Sequence, residues 1–456
     1  MIVSDAWRGK RYAVLGLARS GLATVRALLA SGAEVVAWDA KEEARDAVNS
    51  GTVLGTGGAV PQVIGKTVPE FTAGLTLADP LTLDLTGFDG VVVSPGVPLN
   101  RHPIADKARD AGVPIIGDIE LFARARPGLP PHKVVGITGT NGKSTTTALI
   151  HHILVSAGVP AMLGGNIGLP ILGQEPLPKG GVYVLELSSF QIDLTHSLDC
   201  DVAVLTNITP DHLDRYDGFA AYERSKSRLF EMQSERRFAL WDTTQDGVLS
   251  FEDVFDTGSA DLKAEPFKTS VSDEVLVRFL GPALQGPHNL ANAKVALQAV
   301  WALGLTGDEH FEALRTFPGL PHRMERVREL RGVLYVNDSK ATNPTSAAPA
   351  LAAYPAVHWI LGGQAKTKEL DACAPHFGHV RAAYTIGEAA AMFADLLRPH
   401  MKVTQSGTLA RAVTDASVAA VAGETVLLSP ACASFDQFRD FEARGDAFRE
   451  AVGALQ

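Results

Sequence analysis

The stretch Val134-Val-Gly-Ile-Thr-Gly-Thr-Asn-Gly-Lys-Ser-Thr-Thr-Thr147 constrains this chain more than any other. A β-branched apolar run passes through a glycine-rich turn into Lys143 and Ser144, then into the helical pattern Ala148-Leu-Ile-His-His-Ile-Leu-Val155. Strand, turn and helix in that order build a phosphate cradle. Backbone N–H groups at the helix start face an anion, the lysine reaches the outer phosphates, and the hydroxyl can ligate Mg²⁺. The spelling G-x-x-x-x-G-K-S is not met, because Ile137 stands where the first glycine belongs and the upstream glycines are Gly136 and Gly139. The context carries the reading, since a glycine-rich surface loop with a solvated lysine would need neither the strand nor the helix.

Composition bounds what surrounds this cradle. With 456 residues, 46% of them hydrophobic and 20% charged, the chain is long enough for about three globular domains. The net charge of −10, with no basic block, argues against a nucleic-acid or membrane-surface binder. Cys200, Cys373 and Cys432 are widely spaced without a C-x-x-C, so they form neither a disulfide framework nor a zinc site, which suits a reducing cytoplasm. The N-terminus is too polar for a signal peptide to be expected there, and no apolar run reaches the ~18 residues of a membrane span, so none is expected.

In chain order, Tyr12-Ala-Val-Leu15 reads as a strand, followed by Gly16-Leu-Ala-Arg-Ser-Gly21, an amphipathic helix to about Ala30, and a strand Glu34-Val-Val-Ala-Trp38 with Asp39 at its tip. This β-α-β resembles a dinucleotide fingerprint whose middle glycine is Ala18, so a diphosphate or ribose near Gly21 and Asp39 is expected without support for NAD. Residues 51–80 read as irregular. Gly90-Val-Val-Val-Ser94 is a buried strand ending in the turn Pro95-Gly96, and Arg126-Pro-Gly-Leu-Pro-Pro131 reads as a stiff linker. Later strands Val182–Leu187 and Val202–Thr206 are apolar enough for a parallel sheet, and they end at Glu186 and at Asn207-Ile-Thr-Pro-Asp-His212. A helix over about 216–232 carries Lys226, and another from Gly286 places Asn289 and Asn292 on one face. A third α/β unit has strands Val333–Val336, Val357–Leu361 and Thr425–Leu428. The fold class is therefore α/β in three domains, 1–124, 125–320 and 321–456, with functional residues at strand tips.

Around the cradle, Ser144, Glu186, His212 and Lys226 are candidates near a metal, since carboxylate, hydroxyl and water suit Mg²⁺. The alternatives stay open on residue type alone: a salvaged buried carboxylate for Glu186, a structural hydrogen bond for His212, a solvated helix lysine for Lys226.

Seven motifs in order carry a resemblance: Gly139-Thr-Asn-Gly-Lys-Ser144, Gly164-Gly-Asn-Ile-Gly168, Glu186-Leu-Ser-Ser-Phe-Gln191, Asp211-His-Leu-Asp-Arg-Tyr216, Leu320-Pro-His-Arg323, Asn337-Asp-Ser-Lys-Ala-Thr-Asn343 and Ser429-Pro-Ala-Cys-Ala-Ser-Phe-Asp-Gln-Phe438. The chain resembles the Mur ligase family, and the last two stretches favour the D-glutamate-adding branch over the other Mur ligases and the folylpolyglutamate synthases that share the phosphate loop. The resemblance implies a Rossmann-like UDP-binding domain, a central P-loop ATPase-like domain and a C-terminal Rossmann-like domain. It implies ATP-dependent amide ligation in bacterial peptidoglycan synthesis, in the cytoplasm and as a monomer. UDP-N-acetylmuramoyl-L-alanine would be phosphorylated on its carboxylate, and D-glutamate would then attack the acyl phosphate. Two Mg²⁺ ions are implied, the first on Ser144 and Glu186, the second on His212 and on Lys226 carried as a carbamate.

By the same similarity Gly139, Thr140, Asn141, Gly142, Lys143, Ser144 and Thr145 cradle ATP, with Lys143 on the β- and γ-phosphates and Asn289, Asn292, Arg323, Asp338 and Lys340 framing the nucleotide. Arg19, Ser20, Gly21, Asp39 and Gly96 would bind the uridine diphosphate, while Asn166, Ser188 and Ser189 would line the muramoyl path. Thr342, Lys366, Ser434 and Phe441 would hold D-glutamate. The chain departs from the family pattern at Ala40-Lys41, Gln364-Ala365 and Phe435. A regulator with a non-catalytic phosphate loop is disfavoured by Glu186, His212 and Lys226 together, and an NAD(P)-linked oxidoreductase by Ala18.

Overall fold

The computed structural model describes residues 1–49, 74–211, 215–234, 237–241, 263–266, 272–284 and 286–456. His212 and most of the segment 51–80 lie outside these described residues. Residue contacts divide the chain into two compact units, Met1–Ser272 with Asn292–Ala313, and Asp273–Ala291 with Leu314–Gln456.

The first unit holds two sheets. β1 (Arg11–Leu15), β2 (Glu34–Trp38), β3 (Leu75–Leu77), β4 (Gly90–Val93) and β5 (Ile115–Ile116) form a parallel sheet in the order β3-β2-β1-β4-β5. Valines and other apolar residues fill β1, β2 and β4 because both faces are covered. The order reverses beside β1, so the carboxyl ends of β1 and β4 open a crevice of the kind that holds ligands in doubly wound folds.

The second sheet comprises β6 (His132–Thr138), β7 (Ala161–Gly165), β8 (Gly181–Glu186), β9 (Val202–Leu205), β10 (Phe238–Trp241) and β11 (Lys263–Pro266), in the order β11-β10-β9-β6-β8-β7. All of its pairings are parallel. β6 lies between β8 and β9, with Ile137 opposite Glu186 and Thr138 opposite Leu205. Topology alone therefore flanks the turn after β6 with Glu186 on one side and Thr206-Asn207 on the other. One apolar core serves both sheets: Trp7, Ile119, Phe122, Ile171 and Tyr183 are all in it and essentially inaccessible to solvent. Each such side chain contributes about 1.5–3 kcal/mol by burial. The segment expected to be a stiff linker forms a short 3-10 turn, Arg126–Gly128.

The second unit carries β12 (Glu325–Leu330), β13 (Val333–Asn337), β14 (Val357–Gly362), β15 (Val380–Ile386), β16 (Lys402–Gly407) and β17 (Thr425–Leu428), ordered β12-β13-β17-β14-β15-β16. β12 is antiparallel to β13 and the rest are parallel. β13, β17 and β14 are neighbours, so the loops after Asn337, Leu428 and Gly362 leave the same sheet edge side by side. Apolar clusters cover both faces of this sheet.

Candidate active site at the phosphate loop

The turn between β6 and the helix Lys143–Ser156 is shaped by two glycines. Gly139 has φ +142 and Gly142 φ +81, and a Cβ would stand 2.1 Å from Thr206 Oγ1 at the first and 2.5 Å from Asn292 Oδ1 at the second. Only glycine fits both the dihedrals and the space. The turn is then pinned from β9's tip. Asn207 accepts from Thr140 N through its carbonyl at 2.9 Å and from Asn141 N through Oδ1 at 2.9 Å. Its Nδ2 donates to Asn141 O at 3.0 Å, and Thr206 Oγ1 donates to the same carbonyl at 2.6 Å. Thr140 Oγ1 exchanges bonds with the Thr209 backbone at 3.0 and 3.1 Å. With those carbonyls engaged, the N–H groups at the helix start define an anion-binding end. Lys143 Nζ folds over the loop onto Thr140 O at 2.8 Å, and Ser144 and Thr145 are buried at the helix start.

Glu186 is 1% exposed at the end of β8. Asn166 holds one of its oxygens, Nδ2 donating to Oε1 at 3.1 Å, and the Asn166 N–H donates to the Glu186 carbonyl at 2.8 Å. Oε2 is buried and has no hydrogen-bond partner among the described residues, and neither has Thr138 Oγ1. A buried carboxylate oxygen left unpaired is costly unless a cation completes it. The donor set of carboxylate and Ser144 hydroxyl suits a divalent ion such as Mg²⁺.

Lys226 lies on the helix Phe219–Glu231 at 2% exposure, so the reading as a solvated helix lysine is wrong. Its Nζ donates to Gly139 O at 2.9 Å and sits 4.6 Å over the Tyr222 ring. Burial, reinforced by the nearby Lys143 cation, pushes the ammonium well below the usual lysine range, against the opposing pull of Asp211, Asp193 and Glu186. A buried amine so placed loses its proton readily and becomes a nucleophile. Tyr222 lies four positions before Lys226, and its hydroxyl is 3.2 Å from Thr140 Oγ1. The sequence reading passed over it, although the helical i,i+4 spacing places the two on one face.

Other expected site residues hold structural partners. Ser188 caps the helix Ser189–Asp193 in a box with Gln191, and the Ser189 carbonyl accepts from Ser225 Oγ at 3.1 Å. At the first sheet's crevice, Arg19, Ser20 and Gly21 begin the helix Arg19–Ala30. Both Asp39 carboxylate oxygens accept backbone bonds, from Leu17 N at 2.7 Å and Lys41 N at 2.9 Å, so Asp39 braces its turn. Arg45 donates to the Asp39 carbonyl at 2.6 Å and covers the Trp38 ring. The Pro95-Gly96 turn borders the crevice, and a Cβ on Gly96 would meet open space. A small cavity there is lined by Ser20, Gly21, Ser94, Pro95 and Asp118 among others. Burial pushes the Asp118 carboxyl up to about 6, against its bond from Ile119 N.

Asn292 accepts from Thr146 Oγ1 at 3.3 Å within the first unit. Asn289, on the same helix Pro287–Ala302, is buried. In the second unit, burial pushes the Asp338 carboxyl up to about 7, although the Ser429 hydroxyl donates to it at 2.8 Å and Arg323 is close enough to lower it. Lys340 Nζ sits 4.7 Å over the Phe441 ring, and Thr342 N donates to Lys340 O at 2.9 Å. Lys366 is exposed on a loop tied to the Ser429–Ser434 stretch by the pair Gln364 and Ala433, while Ser434 is buried. Arg444, inaccessible to solvent, braces two of these loops through Ser339 O at 2.8 Å and Cys432 O at 3.0 Å. Nothing in its sequence context marks that role.

A phosphate-loop domain followed by a second α/β unit with glutamate-ligase motifs defines a class, and comparison with known proteins agrees. Residues 137–300 match the Mur ligase middle domain and residues 322–432 the Mur ligase glutamate ligase domain. The chain belongs to the Mur ligase family. Within it, the chain is 61% identical to a protein of Novosphingobium aromaticivorans named UDP-N-acetylmuramoylalanine--D-glutamate ligase, over 100% of this chain and 97% of that one. A protein of the same name from Zymomonas mobilis is 52% identical over the whole of both chains. Among solved structures, UDP-N-acetylmuramate-alanine ligase from Thermotoga maritima has a TM-score of 0.57 at 15% identity, covering 98% of this chain and 100% of that one. MurF ligase from the same organism, in complex with ADP, has a TM-score of 0.57 at 14% identity, covering 99% and 97%. At those identities the likeness is one of fold.

Proposed function

We infer that this chain is the ATP-dependent ligase that joins D-glutamate to UDP-N-acetylmuramoyl-L-alanine, a step of peptidoglycan precursor synthesis. Relatives at 52–61% identity over the full chain bear that name. The observation that carries the chemistry is the buried pair flanking the phosphate loop: Glu186, whose Oε2 has no partner among the described residues, and Lys226 with its amine on the Gly139 carbonyl. A reaction on UDP-linked precursors with ATP fits the cytoplasm. No helix among the described residues is long and apolar enough to cross a membrane.

A carboxylate is a poor acyl donor because its oxygen leaves badly. In the reading supported here, the acceptor's terminal carboxylate oxygen attacks the γ-phosphorus, the bond to ADP breaks, and an acyl phosphate forms. The D-glutamate amine then adds to the acyl carbon, loses a proton, and phosphate departs as the amide forms. Two anions must meet in the first step, and Lys143 with the helix-start N–H groups offsets their repulsion and holds the transferred phosphoryl group. Ser144 and Glu186 would hold one divalent cation, with Asn166 fixing the carboxylate's orientation. His212 and a carbamylated Lys226 would hold a second. When bound, these ions neutralise phosphate charge and orient the reacting oxygens. The depressed basicity of Lys226 supports the carbamate, since only the neutral amine adds to CO₂.

Asn289, Asn292, Arg323, Asp338 and Lys340 frame the nucleotide in this reading, and Thr342, Lys366, Ser434 and Phe441 take D-glutamate, the lysine pairing a carboxylate. Arg19, Ser20, Gly21, Asp39 and Gly96 take the uridine diphosphate, and Ser188 and Ser189 border the muramoyl path. The functional division into domains 1–124, 125–320 and 321–456 belongs to the same proposal. Acceptor labelled with ¹⁸O in its carboxylate tests the mechanism: one label atom should appear in the released phosphate for each amide formed. Label lost to water, with none in the released phosphate, would rule out the acyl phosphate.

A further inference from the structure

Arg215 stands three positions after His212 and takes no part in the chemistry above. Its guanidinium lies 4.4 Å over the Phe190 ring, and Nη2 donates at 3.1 Å to the carbonyl of Val97, the residue after Gly96. Phe190, on the helix Ser189–Asp193, stacks on Tyr216 with ring centroids 5.9 Å apart and planes 5° from parallel. The Tyr216 hydroxyl donates to Asp193 at 2.8 Å and meets Ser225 Oγ at 3.3 Å. Its ring packs edge-on against Tyr222 at 5.5 Å. Tyr222 in turn touches Thr140 of the phosphate loop and underlies the Lys226 amine. A continuous run of packed and hydrogen-bonded groups thus joins the Pro95–Val97 turn of the first sheet to the phosphate loop of the second.

The ends of this run have to be kept in register. If the ligase reading above holds, the acceptor's diphosphate sits at the Gly96 turn while its carboxylate reaches the phosphate loop, and roughly 1 Å of misplacement can lower turnover about a hundredfold. Arginine suits the junction because its planar cation can stack on a ring face and donate in its own plane at once, whereas lysine can satisfy one contact or the other.

We propose that Arg215 is a positioning residue that holds the acceptor-binding turn in register with the phosphate loop. The test compares Arg215→Gln, Arg215→Lys, Phe190→Leu and the double variant Arg215→Gln/Phe190→Leu in the full chain. Turnover would be measured as phosphate release with UDP-MurNAc-L-Ala, ATP and D-glutamate, and nucleotide binding by titration with ATP alone. Arg215→Gln should lower kcat/KM for the acceptor roughly ten- to a hundredfold while ATP affinity stays within about twofold. Arg215→Lys should recover part of the loss, and the double variant should lose much less than the product of the two single losses. Wild-type kcat/KM in folded Arg215→Gln would overturn the proposal. So would a parallel loss of ATP affinity and melting temperature, which is the mark of a purely structural residue. Wild-type protein that releases no phosphate with these substrates would overturn the ligase reading itself, and this proposal with it.

Discussion

Lys143, Lys226 and Asp118 behave unlike surface residues of their types, each for a different reason. Lys143 is bound to its own loop and faces the anion end of a helix, so Lys143→Ala should lower phosphate release at least roughly 10²- to 10³-fold, as removal of one transition-state donor does. Retained turnover would contradict the cradle. Lys226→Ala should abolish turnover, and short carboxylic acids should restore part of it by standing in for the carbamate. Unimpaired turnover in the variant would exclude the modification. Asp118 makes a pH prediction with a definite sign. Its folded value of about 6 lies above the ordinary aspartate value of about 3.8, so the native state holds the proton more tightly than the unfolded chain. Stability is therefore full below pH ~4 and falls as pH rises to about 6. Asp118→Asn should remove that loss and leave the protein more stable than wild type at pH 7 by on the order of 2 kcal/mol. Equal denaturation midpoints at pH 7 would show that burial does not raise the carboxyl above its ordinary range. Lys143 and Ser144 stood out as candidates through the strand–turn–helix context around them, not through the glycine spacing. The burial of Lys226 was not, because a lysine on an amphipathic helix looks the same whether it meets solvent or a loop carbonyl.

At the scale of elements, two glycines do different work. At Gly21 a Cβ would stand 1.8 Å from the Gly16 carbonyl, so the helix Arg19–Ala30 itself would have to move. At Gly142 the obstacle is a side-chain oxygen, Asn292 Oδ1, and the residue also has φ +81. Gly21→Ala should therefore destabilise the fold by about 1–3 kcal/mol. Gly142→Ala should destabilise it by about 1 kcal/mol while weakening ATP binding. Denaturant midpoints read beside ATP titrations separate the two effects, and unchanged ATP affinity in Gly142→Ala would count against the loop as the nucleotide site. The buried strands β1, β4, β6, β8 and β9 were legible as continuous apolar runs. β12 and β16 were not, since Glu325–Leu330 and Lys402–Gly407 are polar edge strands whose pairing comes from their neighbours. β15 was missed because Val380–Ile386 is alanine-rich and owes its place to β14 and β16.

For the whole molecule, the α/β class and the strand-tip position of the site were readable because parallel sheets repeat one rule: ligand groups gather at carboxyl ends. What sequence did not show is that the first two sheets share one apolar cluster, which joins residues as distant in sequence as Trp7 and Tyr183. The central claim concerns which amino acid this assembly joins to which acceptor. It is tested most directly by phosphate release from ATP with UDP-MurNAc-L-Ala and a panel of amino acids. Release with D-glutamate, and with none of L-alanine, L-lysine or meso-diaminopimelate, is the expected result. Release with L-lysine or meso-diaminopimelate but not with D-glutamate would contradict it.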